Sequence, residues 1–362
     1  MPDVNARLTS ATNSAGPERL ASYTTLRLGG APGELVTATQ NAEIVQSIRE
    51  AGSRQEPILV LAGGSNVVIA DEGFPGTVLL VRTRGFRVVA EDDETVTVRV
   101  AAGEPWDDLV AATVEAGWSG VECLSGIPGS AGATPIQNVG AYGQEVAETV
   151  TAVEAYDRVT GDVVWMTPRE CGFGYRASVF KHNDRWAVLS VDFRLLRSPL
   201  SAPVRYAELA RTLGVEVGDR VPLAEARAAV RALRAGKGMV LDAADPDTRS
   251  VGSFFTNPVL DQAAYLALRE RAAELGEPPS WPGTNGTVKV SAAWLIDKAG
   301  FPKGYRGAGG VAISSKHTLA LTNQGDGSTT ALLALAREIR DGVHARFGVT
   351  LHPEPVLVNC AL

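Results

Sequence analysis

The sequence predicts an α+β fold. Helix and strand patterns follow one another in mixed order along its 362 residues, whereas a regular α/β sheet would need them to alternate. Two pairs of strand patterns are joined by short turns, as in β-hairpins. The clearest helix pattern, Thr329–Phe347, stands near the C-terminus with its apolar residues on one stripe and Gly348 after it.

The first unit is predicted over residues 20–82, after a polar tail at 1–19 that we expect to be flexible. Apolar residues on one face predict a helix with a cap at Asn41 and a stop at Gly52. A turn is predicted at Pro75-Gly76. The unit has four extended patterns: Leu35–Ala38, Ile58–Ala62, Val67–Ala70 and Thr77–Val81.

The second unit is predicted over residues 83–200 and contains both hairpins. Thr167 and Glu170 have the spacing of a capping box, so a short helix is expected to begin there. The paired strand patterns are Phe86–Ala90 with Thr95–Val100, and Val153–Tyr156 with Val163–Met166. A helix is predicted at Pro105–Ala116 and a closing strand at Ala187–Arg197.

The third unit is predicted over residues 201–348 and mixes helices with short strands. It is followed by the C-terminal segment 349–362, whose extended pattern, Val349–Val358, is interrupted by Pro353 and Pro355. The predicted helices, besides the long one, are Pro222–Ala235, Gln262–Leu275 and Ala292–Ala299. The predicted strands are Val311–Ile313 and Leu319–Thr322.

Composition excludes several classes of protein. The net charge of −7 argues against a nucleic-acid or anionic-membrane surface, so an anionic ligand must be held by local groups. The N-terminus has no secretory pattern, and no apolar run reaches the length that a bilayer requires. The three cysteines are far apart, and we expect them to be reduced. The four histidines are scattered, and no metal site is expected.

Two glycine-rich loops are the candidates for ligand binding, since the usual dinucleotide and phosphate-loop fingerprints are absent. Gly63-Gly64-Ser65-Asn66 directly follows a strand, and its backbone could approach phosphate oxygens. An ordinary turn is the alternative. The second loop, 125–143, carries five glycines with apolar residues between them, which favours an ordered loop packed on an extended ligand.

Three further residues could carry chemistry. Arg176 follows Gly174-Tyr175 and could clamp a carboxylate, although a surface arginine is the alternative. Ser253 lies between glycine and two aromatic residues and could donate a proton in a dry pocket, although a turn serine is the alternative. Glu354 lies between two prolines, and an exposed acid is the alternative.

Taken together, these segments resemble the UDP-N-acetylenolpyruvoylglucosamine reductase family. The matching segments occur in the same order as in the family and cover nearly the whole chain from about Leu20, so the joint match is specific. They are Leu61–Asn66, Ile127–Gly143, Cys171–Lys181, Gly252–Pro258, Trp294–Asp297 and Pro353-Glu354. The sequence departs from the family pattern at His352, Pro355 and Lys298.

The resemblance implies a vanillyl-alcohol-oxidase-like, PCMH-type FAD-binding domain made of the first two units. The third unit would be the substrate-binding domain, and the C-terminal strand would return to the first unit and bring Glu354 to the flavin. FAD and NADPH are the implied cofactors. The residues implied to contact FAD are Gly63, Gly64, Ser65, Asn66, Gly129, Ser130, Gln137, Asn138 and Ala141.

The resemblance also implies a reaction in two halves. NADPH reduces the flavin, and UDP-N-acetylglucosamine enolpyruvate then receives hydride at its vinyl carbon and becomes UDP-N-acetylmuramate, a peptidoglycan precursor. Arg176 and Glu354 match the pair that stabilises the enolate, and Ser253 matches its proton donor. Glu354 helps only when protonated, which burial would favour. Substrate contacts are implied for Tyr175, Tyr206, Lys237 and Asn257.

These expectations describe a cytoplasmic, monomeric enzyme with a small-molecule substrate and no metal, nucleic-acid or membrane partner. Two other functions remain open at this point. A flavoprotein oxidase of the same superfamily would explain the two glycine-rich loops but not Arg176, Ser253 and Glu354 together. A non-catalytic sensor of sugar nucleotides would bind the UDP-sugar without flavin turnover.

Overall fold

The fold is described from a computed structural model of residues 18–362. The flexible tail predicted over 1–19 lies outside the described residues except for its last two positions. Among residues 18–362, no helix combines the length and the apolar character that crossing a membrane requires.

The first region forms a small parallel sheet in the order β1-β4-β2, covered by one helix. That helix begins one residue earlier than predicted, because Gln40 and Glu43 form a reciprocal capping box. The turn expected at Pro75-Gly76 is wrong, since both residues belong to a strand. The elements are β1 (Pro32–Ala38), α1 (Asn41–Ser53), β2 (Ile58–Leu61), β3 (Val67–Ile69) and β4 (Phe74–Val81).

The second region is built on a six-stranded antiparallel sheet in the order β11-β10-β12-β6-β5, with β7 on β12. Both predicted hairpins and the Thr167–Glu170 capping box are confirmed. The elements are β5 (Phe86–Glu91), β6 (Thr95–Ala101), α2 (Trp106–Glu115), β7 (Trp118–Ser119), β8 (Gly140–Ala141), β9 (Gln144–Glu145), β10 (Val150–Asp157), β11 (Val163–Met166), α3 (Pro168–Cys171) and β12 (Trp186–Arg197).

The third region packs short strands and helices around its longest helix, which has the predicted bounds. A short helix after Tyr206 and a three-stranded sheet were not predicted, because their elements are too short to show a period. The elements are α4 (Ala207–Leu213), α5 (Leu223–Gly236), β13 (Val259–Leu260), α6 (Gln262–Arg271), β14 (Ser280–Pro282), β15 (Val288–Val290), α7 (Ala292–Lys298), β16 (Val311–Ile313), β17 (Leu321–Asn323) and α8 (Thr329–Phe347).

The C-terminal segment returns to the first region. Its strand β18 (Val356–Val358) is shorter than the extended pattern of 349–358 and pairs in parallel with β3, with Val356 opposite Val67. Before this strand, the Glu354 N–H donates to Phe254 O at 2.8 Å, and the Val356 N–H donates to Asn66 O at 3.0 Å. Glu354 therefore lies between the third region and the first.

Asp71 fastens α8 to the first region. Its carboxylate accepts the backbone N–H groups of Thr329 and Thr330 at 2.8 and 2.9 Å. Burial of Asp71 opposes its ionisation, yet these hydrogen bonds outweigh burial and hold its pKa below the usual range. The carboxylate thus satisfies the first free donors of a helix whose Leu332 and Ile339 are fully buried.

Replacing Asp71 by alanine is expected to destabilise the fold by about 1 kcal/mol at neutral pH, the usual cost of losing an N-terminal cap. Because the pKa of Asp71 is lowered in the folded state, its contribution is present above the unfolded pKa of about 4 and is lost as the pH falls through the folded value. Urea unfolding at neutral and at acidic pH measures both effects. Asp93→Ala, in an exposed turn, is the matched control, and an equal loss at both pH values would contradict the assignment.

Candidate active site

A cavity of about 400 Å³ lies where the three regions meet. The first region supplies the segment 58–67 to its wall, and the second region supplies 127–140. The third region adds Arg234 and Ser253, and the C-terminal segment adds Glu354. Both glycine-rich loops therefore border one cavity together with Ser253 and Glu354, and Arg176 lines it as well.

The two glycine-rich loops pack directly against each other at this cavity. A Cβ atom on Gly63 would lie 2.6 Å from the Cα atom of Gly129, and one on Gly64 would lie 2.0 Å from Tyr23 O. The Ser65 hydroxyl donates to Pro128 O at 2.9 Å and ties the loops together. Because backbone approaches backbone this closely, glycine is the residue that fits at both positions.

Two buried polar atoms beside the cavity have no hydrogen-bond partner among the described residues. They are Ser130 Oγ and Arg234 Nε, and both residues line the cavity. Arg234 is 9% exposed, and within residues 18–362 its side chain makes one hydrogen bond, to Met239 O at 3.2 Å. A buried guanidinium with no carboxylate on it suits an anionic ligand.

Arg234 is the third of three arginines on one face of α5. The first two, Arg227 and Arg231, are both paired with Asp107 at the start of α2. Sequence reasoning missed Arg234 as a cavity residue. The spacing of 227, 231 and 234 places the three cations on one side of a helix, but the acid that pairs with two of them is distant in the sequence.

Arg176 and Glu354 form an ion pair at the cavity wall, with 3.2 Å between Nε and Oε1. Arg176 adopts a φ of +52°, which is uncommon outside glycine, and its Nη2 donates to Gly140 O at 2.8 Å. Burial raises the pKa of Glu354, although Arg176 and Lys181 act in the opposite direction. The pair thus combines a fixed cation with a carboxyl that is protonated more readily than a free glutamate.

Ser253 lines the same cavity and is held by its neighbours. Gly252 before it has a φ of +74°, and the fully buried rings of Phe254 and Phe255 after it are 5.1 Å apart. Since the Glu354 N–H donates to Phe254 O, the serine and the carboxyl are attached to paired segments. The structure therefore brings together the three residues for which the sequence suggested chemistry.

The four expected substrate residues lie in two groups. Tyr175, which is 41% exposed, has the Lys289 ammonium 4.7 Å from its ring, and Asn257 accepts the Ala292 N–H at 2.9 Å. The second group surrounds another tyrosine ring. Its members are Tyr206 and Lys237. The ring of Tyr142 lies 5.5 Å from the Tyr206 ring and 5.6 Å from the Lys237 ammonium.

Two residues expected to contact the cofactor do not line the cavity. The amide of Asn138 donates to Glu145 at 2.7 Å and to Gly174 O at 3.1 Å. This side chain therefore stabilises the loop through contacts within the protein. Ala141 pairs with Gln144 in the small β8–β9 hairpin. The sequence could not show this, because a loop with so many glycines has no period that would tell its two sides apart.

Lys181 is a further residue that the sequence left without a role. Its ammonium donates to Gln137 Oε1 at 3.4 Å and to Arg176 O at 3.3 Å. Burial lowers its pKa, and Arg176 adds to this effect while Glu354 opposes it. Within residues 18–362, no cluster of three or more potential metal-binding side chains occurs.

Comparisons with known proteins give the family. Two family models match, an FAD binding domain over 32–167 and the C-terminal domain of UDP-N-acetylenolpyruvoylglucosamine reductase over 245–358. The reductase of Salinispora arenicola is 74% identical over 345 residues, which are 95% of this chain and 95% of that protein. The reductase of Streptomyces coelicolor is 59% identical over 349 residues, which are 95% of this chain and 90% of that protein. The chain belongs to the UDP-N-acetylenolpyruvoylglucosamine reductase family.

A solved structure agrees with this assignment. The crystal structure of the reductase from Thermus caldophilus matches with a TM-score of 0.65 and 25% identity, covering 94% of this chain and 97% of that chain. The predicted α+β combination of an FAD-binding domain and a C-terminal domain of this family is confirmed. The chain is thus an FAD-dependent oxidoreductase with a small-molecule substrate, and among the three functions suggested by the sequence the reductase is supported.

The residues that line the cavity suit the negative charge of FAD. FAD is an elongated anion, and the cavity offers it the glycine loops around Gly63 and Gly129 together with the free donors of Ser130 and Arg234. These residues would hold the cofactor, and the buried cation would offset its negative charge.

Replacing Gly63 by alanine is expected to weaken FAD binding roughly tenfold to a hundredfold. The new methyl group must push the two loops apart, and overpacking of this kind costs roughly 1–3 kcal/mol. The flavin-to-protein absorbance ratio after gel filtration, and titration of the apoprotein with FAD, measure the loss. Gly52→Ala in α1 is the control, since its Cβ would meet no atom within 4 Å. Full FAD retention by Gly63→Ala would show that the loop contact is not needed.

Proposed function

We propose that Arg176, Glu354 and Ser253 carry out the reaction of this family in the present chain. The reaction is the NADPH-dependent reduction, through FAD, of UDP-N-acetylglucosamine enolpyruvate to UDP-N-acetylmuramate in peptidoglycan precursor synthesis. When bound, FAD supplies to the substrate the hydride that it has received from NADPH. The observation that carries the proposal is the Arg176–Glu354 pair on the cavity wall that Ser253 also lines.

Arg176 stabilises the charge that hydride addition creates. Hydride at the vinyl carbon leaves an electron pair on the neighbouring carbon, next to the substrate carboxylate, so the negative charge spreads over an enolate. A guanidinium that is already fixed by Gly140 O and Glu354 needs little rearrangement when this charge develops. Preorganised cations of this kind favour the transition state over the ground state.

Glu354 complements Arg176 as a neutral hydrogen-bond donor. An ionised carboxylate would repel both the substrate carboxylate and the enolate. Burial raises the pKa of Glu354 and so favours the protonated form, in which the carboxyl can donate to a substrate oxygen. The pair therefore presents one full positive charge and one O–H group to the same region.

Ser253 delivers the proton that completes the reaction. The enolate carbon is strongly basic, so a weak acid is adequate if it is held close to that carbon. Phe254 and Phe255 directly follow the serine and are buried in the hydrophobic core, so they anchor its backbone beside the cavity.

Tyr175, Asn257, Tyr206 and Lys237 bind the sugar nucleotide. Lys237 is the cation for the diphosphate, and in this structure its ammonium is 2.6 Å from Glu208 Oε2. Burial acts to lower the pKa of Lys237, but Glu208 and Tyr142 outweigh burial and raise it. The substrate therefore has to replace the carboxylate of Glu208 with its own phosphate oxygens.

Each of the three units has its own role in binding. Residues 20–82 and 83–200 form the FAD-binding domain, 201–348 form the substrate-binding domain, and 349–362 rejoin the first unit. We further propose that the chain acts as a monomer in the cytoplasm without nucleic-acid or membrane partners. The net charge of −7 supports this assignment, since it disfavours polyanionic surfaces.

Ser253→Ala is expected to separate the two half-reactions. Flavin bleaching by NADPH under anaerobic conditions should be close to that of the parent, because no proton reaches carbon in that step. Recovery of the flavin colour on addition of the enolpyruvyl UDP-sugar should slow roughly 10²–10⁴-fold, the usual value of general acid catalysis. Stopped-flow absorbance measures both rates. Equal slowing of both steps would remove the proton-donor role, and a parent that recovers colour only with oxygen would overturn the proposed function.

Arg176→Lys is expected to lower turnover by roughly tenfold or more although the charge is kept. The guanidinium reaches Gly140 O and Glu354 Oε1 at once, which a single ammonium cannot do in the same geometry. Steady-state turnover and the rate of flavin recovery measure the effect, with Arg169→Lys on the exposed face of α3 as the control. Turnover within a factor of about two of the parent would exclude Arg176 as the carboxylate clamp.

A further inference from the structure

The orientation of the Gln137 amide is fixed by its neighbours. Gln137 Oε1 lies 2.6 Å from Asn66 Nδ2 and 3.4 Å from Lys181 Nζ. An ammonium group can only donate hydrogen bonds, so the Gln137 atom that faces it must be the oxygen. The Gln137 NH₂ group is thereby directed to Glu354 Oε1, at 3.4 Å. Asn66 alone would not decide this, because its own amide can present either an oxygen or a nitrogen.

The two oxygens of the Glu354 carboxyl are therefore not equivalent. Among the described residues, two side-chain nitrogens approach this carboxyl at Oε1: Arg176 Nε forms the ion-pair contact at 3.2 Å, and Gln137 Nε2 donates a hydrogen bond at 3.4 Å. An oxygen that faces two N–H donors is an acceptor and is the unfavourable place for the carboxyl proton. When Glu354 is neutral, its O–H is consequently on Oε2.

We propose that Lys181 is a positioning residue that acts through Gln137 to keep the proton of Glu354 on Oε2, available to the substrate. The inference rests on the proposed role of Glu354 and adds the device that orients its proton. Lys181 touches neither the proton nor the reacting carbon. It fixes the orientation of the Gln137 amide, and that amide determines which oxygen of the Glu354 carboxyl carries the proton.

Removal of the ammonium has two consequences. First, Gln137 is free to rotate and to turn its oxygen to Glu354, where it would accept the carboxyl proton and draw it away from the substrate. Second, the charged and titratable groups that face Glu354 are Arg176, Lys181 and Tyr175, and loss of the Lys181 charge raises the pKa of Glu354 further. The protonated form then persists to higher pH while its proton points the wrong way.

The test measures the pH dependence of flavin recovery by the enolpyruvyl UDP-sugar in FAD-loaded Lys181→Met and Lys181→Arg. Activity that needs protonated Glu354 is lost as the pH rises through its pKa. Lys181→Met should therefore slow recovery roughly tenfold to a hundredfold, which is less than the full loss of a general acid. It should also move the alkaline limb of the pH–rate profile, where activity falls with rising pH, to higher pH. Lys181→Arg keeps a cation that can only donate, and should restore both the rate and the position of the limb.

The inference is overturned if Lys181→Met leaves the limb unmoved or moves it to lower pH, if bleaching by NADPH slows equally, or if Lys181→Arg behaves as the methionine variant does. Lys181→Gln carries the same prediction as Lys181→Met and replaces it if that variant does not fold. Glu354→Gln separates this from the proposed function. If Glu354→Gln keeps the parental rate and limb, the role of Glu354 itself is wrong. If Glu354→Gln abolishes the limb but Lys181→Met matches the parent, only the role of Lys181 is wrong.

Discussion

The backbone pairing of the C-terminal segment is the constraint on which the site depends. The segment is held on one side by Phe254 O and on the other by Asn66 O, through the N–H groups of Glu354 and Val356. Pro353 and Pro355, on either side of Glu354, have no N–H group and a fixed φ, so few other paths are open to this stretch. Backbone bonds therefore fix the position of Glu354, and its side chain is left to meet Arg176 and Gln137 at the cavity wall. The same pairing brings Ser253 and the first glycine loop to the two flanks of one carboxyl.

The electrostatics of the site oppose those of the whole molecule. The chain carries a net charge of −7, yet Arg176 and Arg234 line one cavity, and Lys181 donates to Gln137 in its wall. Because the cavity is largely buried, these charges act at short range and are little screened by salt. Glu354 is the acid among them, and burial keeps it from cancelling their charge completely. Anions are thus attracted by a local arrangement that the composition does not show.

Much of the fold follows from the sequence because its signals are local. The helix Thr329–Phe347 has a regular apolar stripe, a serine cap and a glycine stop, and its bounds are as predicted. The two hairpins and the Thr167 capping box are likewise short-range patterns. Where the prediction is wrong, a neighbour distant in sequence decides: Pro75-Gly76 is extended because the flanking residues of this strand pair with β1 and β2.

The candidate site was less predictable, and for a related reason. Arg176, Ser253 and Glu354 were found by their joint resemblance to a family, since each alone has a commoner explanation. Lys181 and Arg234 were missed because their significance lies in what surrounds them. No local pattern shows that an ammonium fixes the orientation of an amide, or that a guanidinium is left unpaired. Asn138 shows the opposite case, a loop residue whose polar atoms are used within the protein.

The unpaired state of Arg234 follows from how α5 is docked. Asp107 accepts Arg227, Arg231 and the Gly126 N–H at the start of α2. Burial works against ionisation of Asp107, but these donors outweigh burial and keep its pKa below the usual range. One carboxylate can neutralise only part of three cations, so the docking that fixes the helix also leaves a positive charge on its last turn. Arg234 lines the cavity while Asp107 holds the preceding two turns, and an anionic cofactor bound there would complete the pairing.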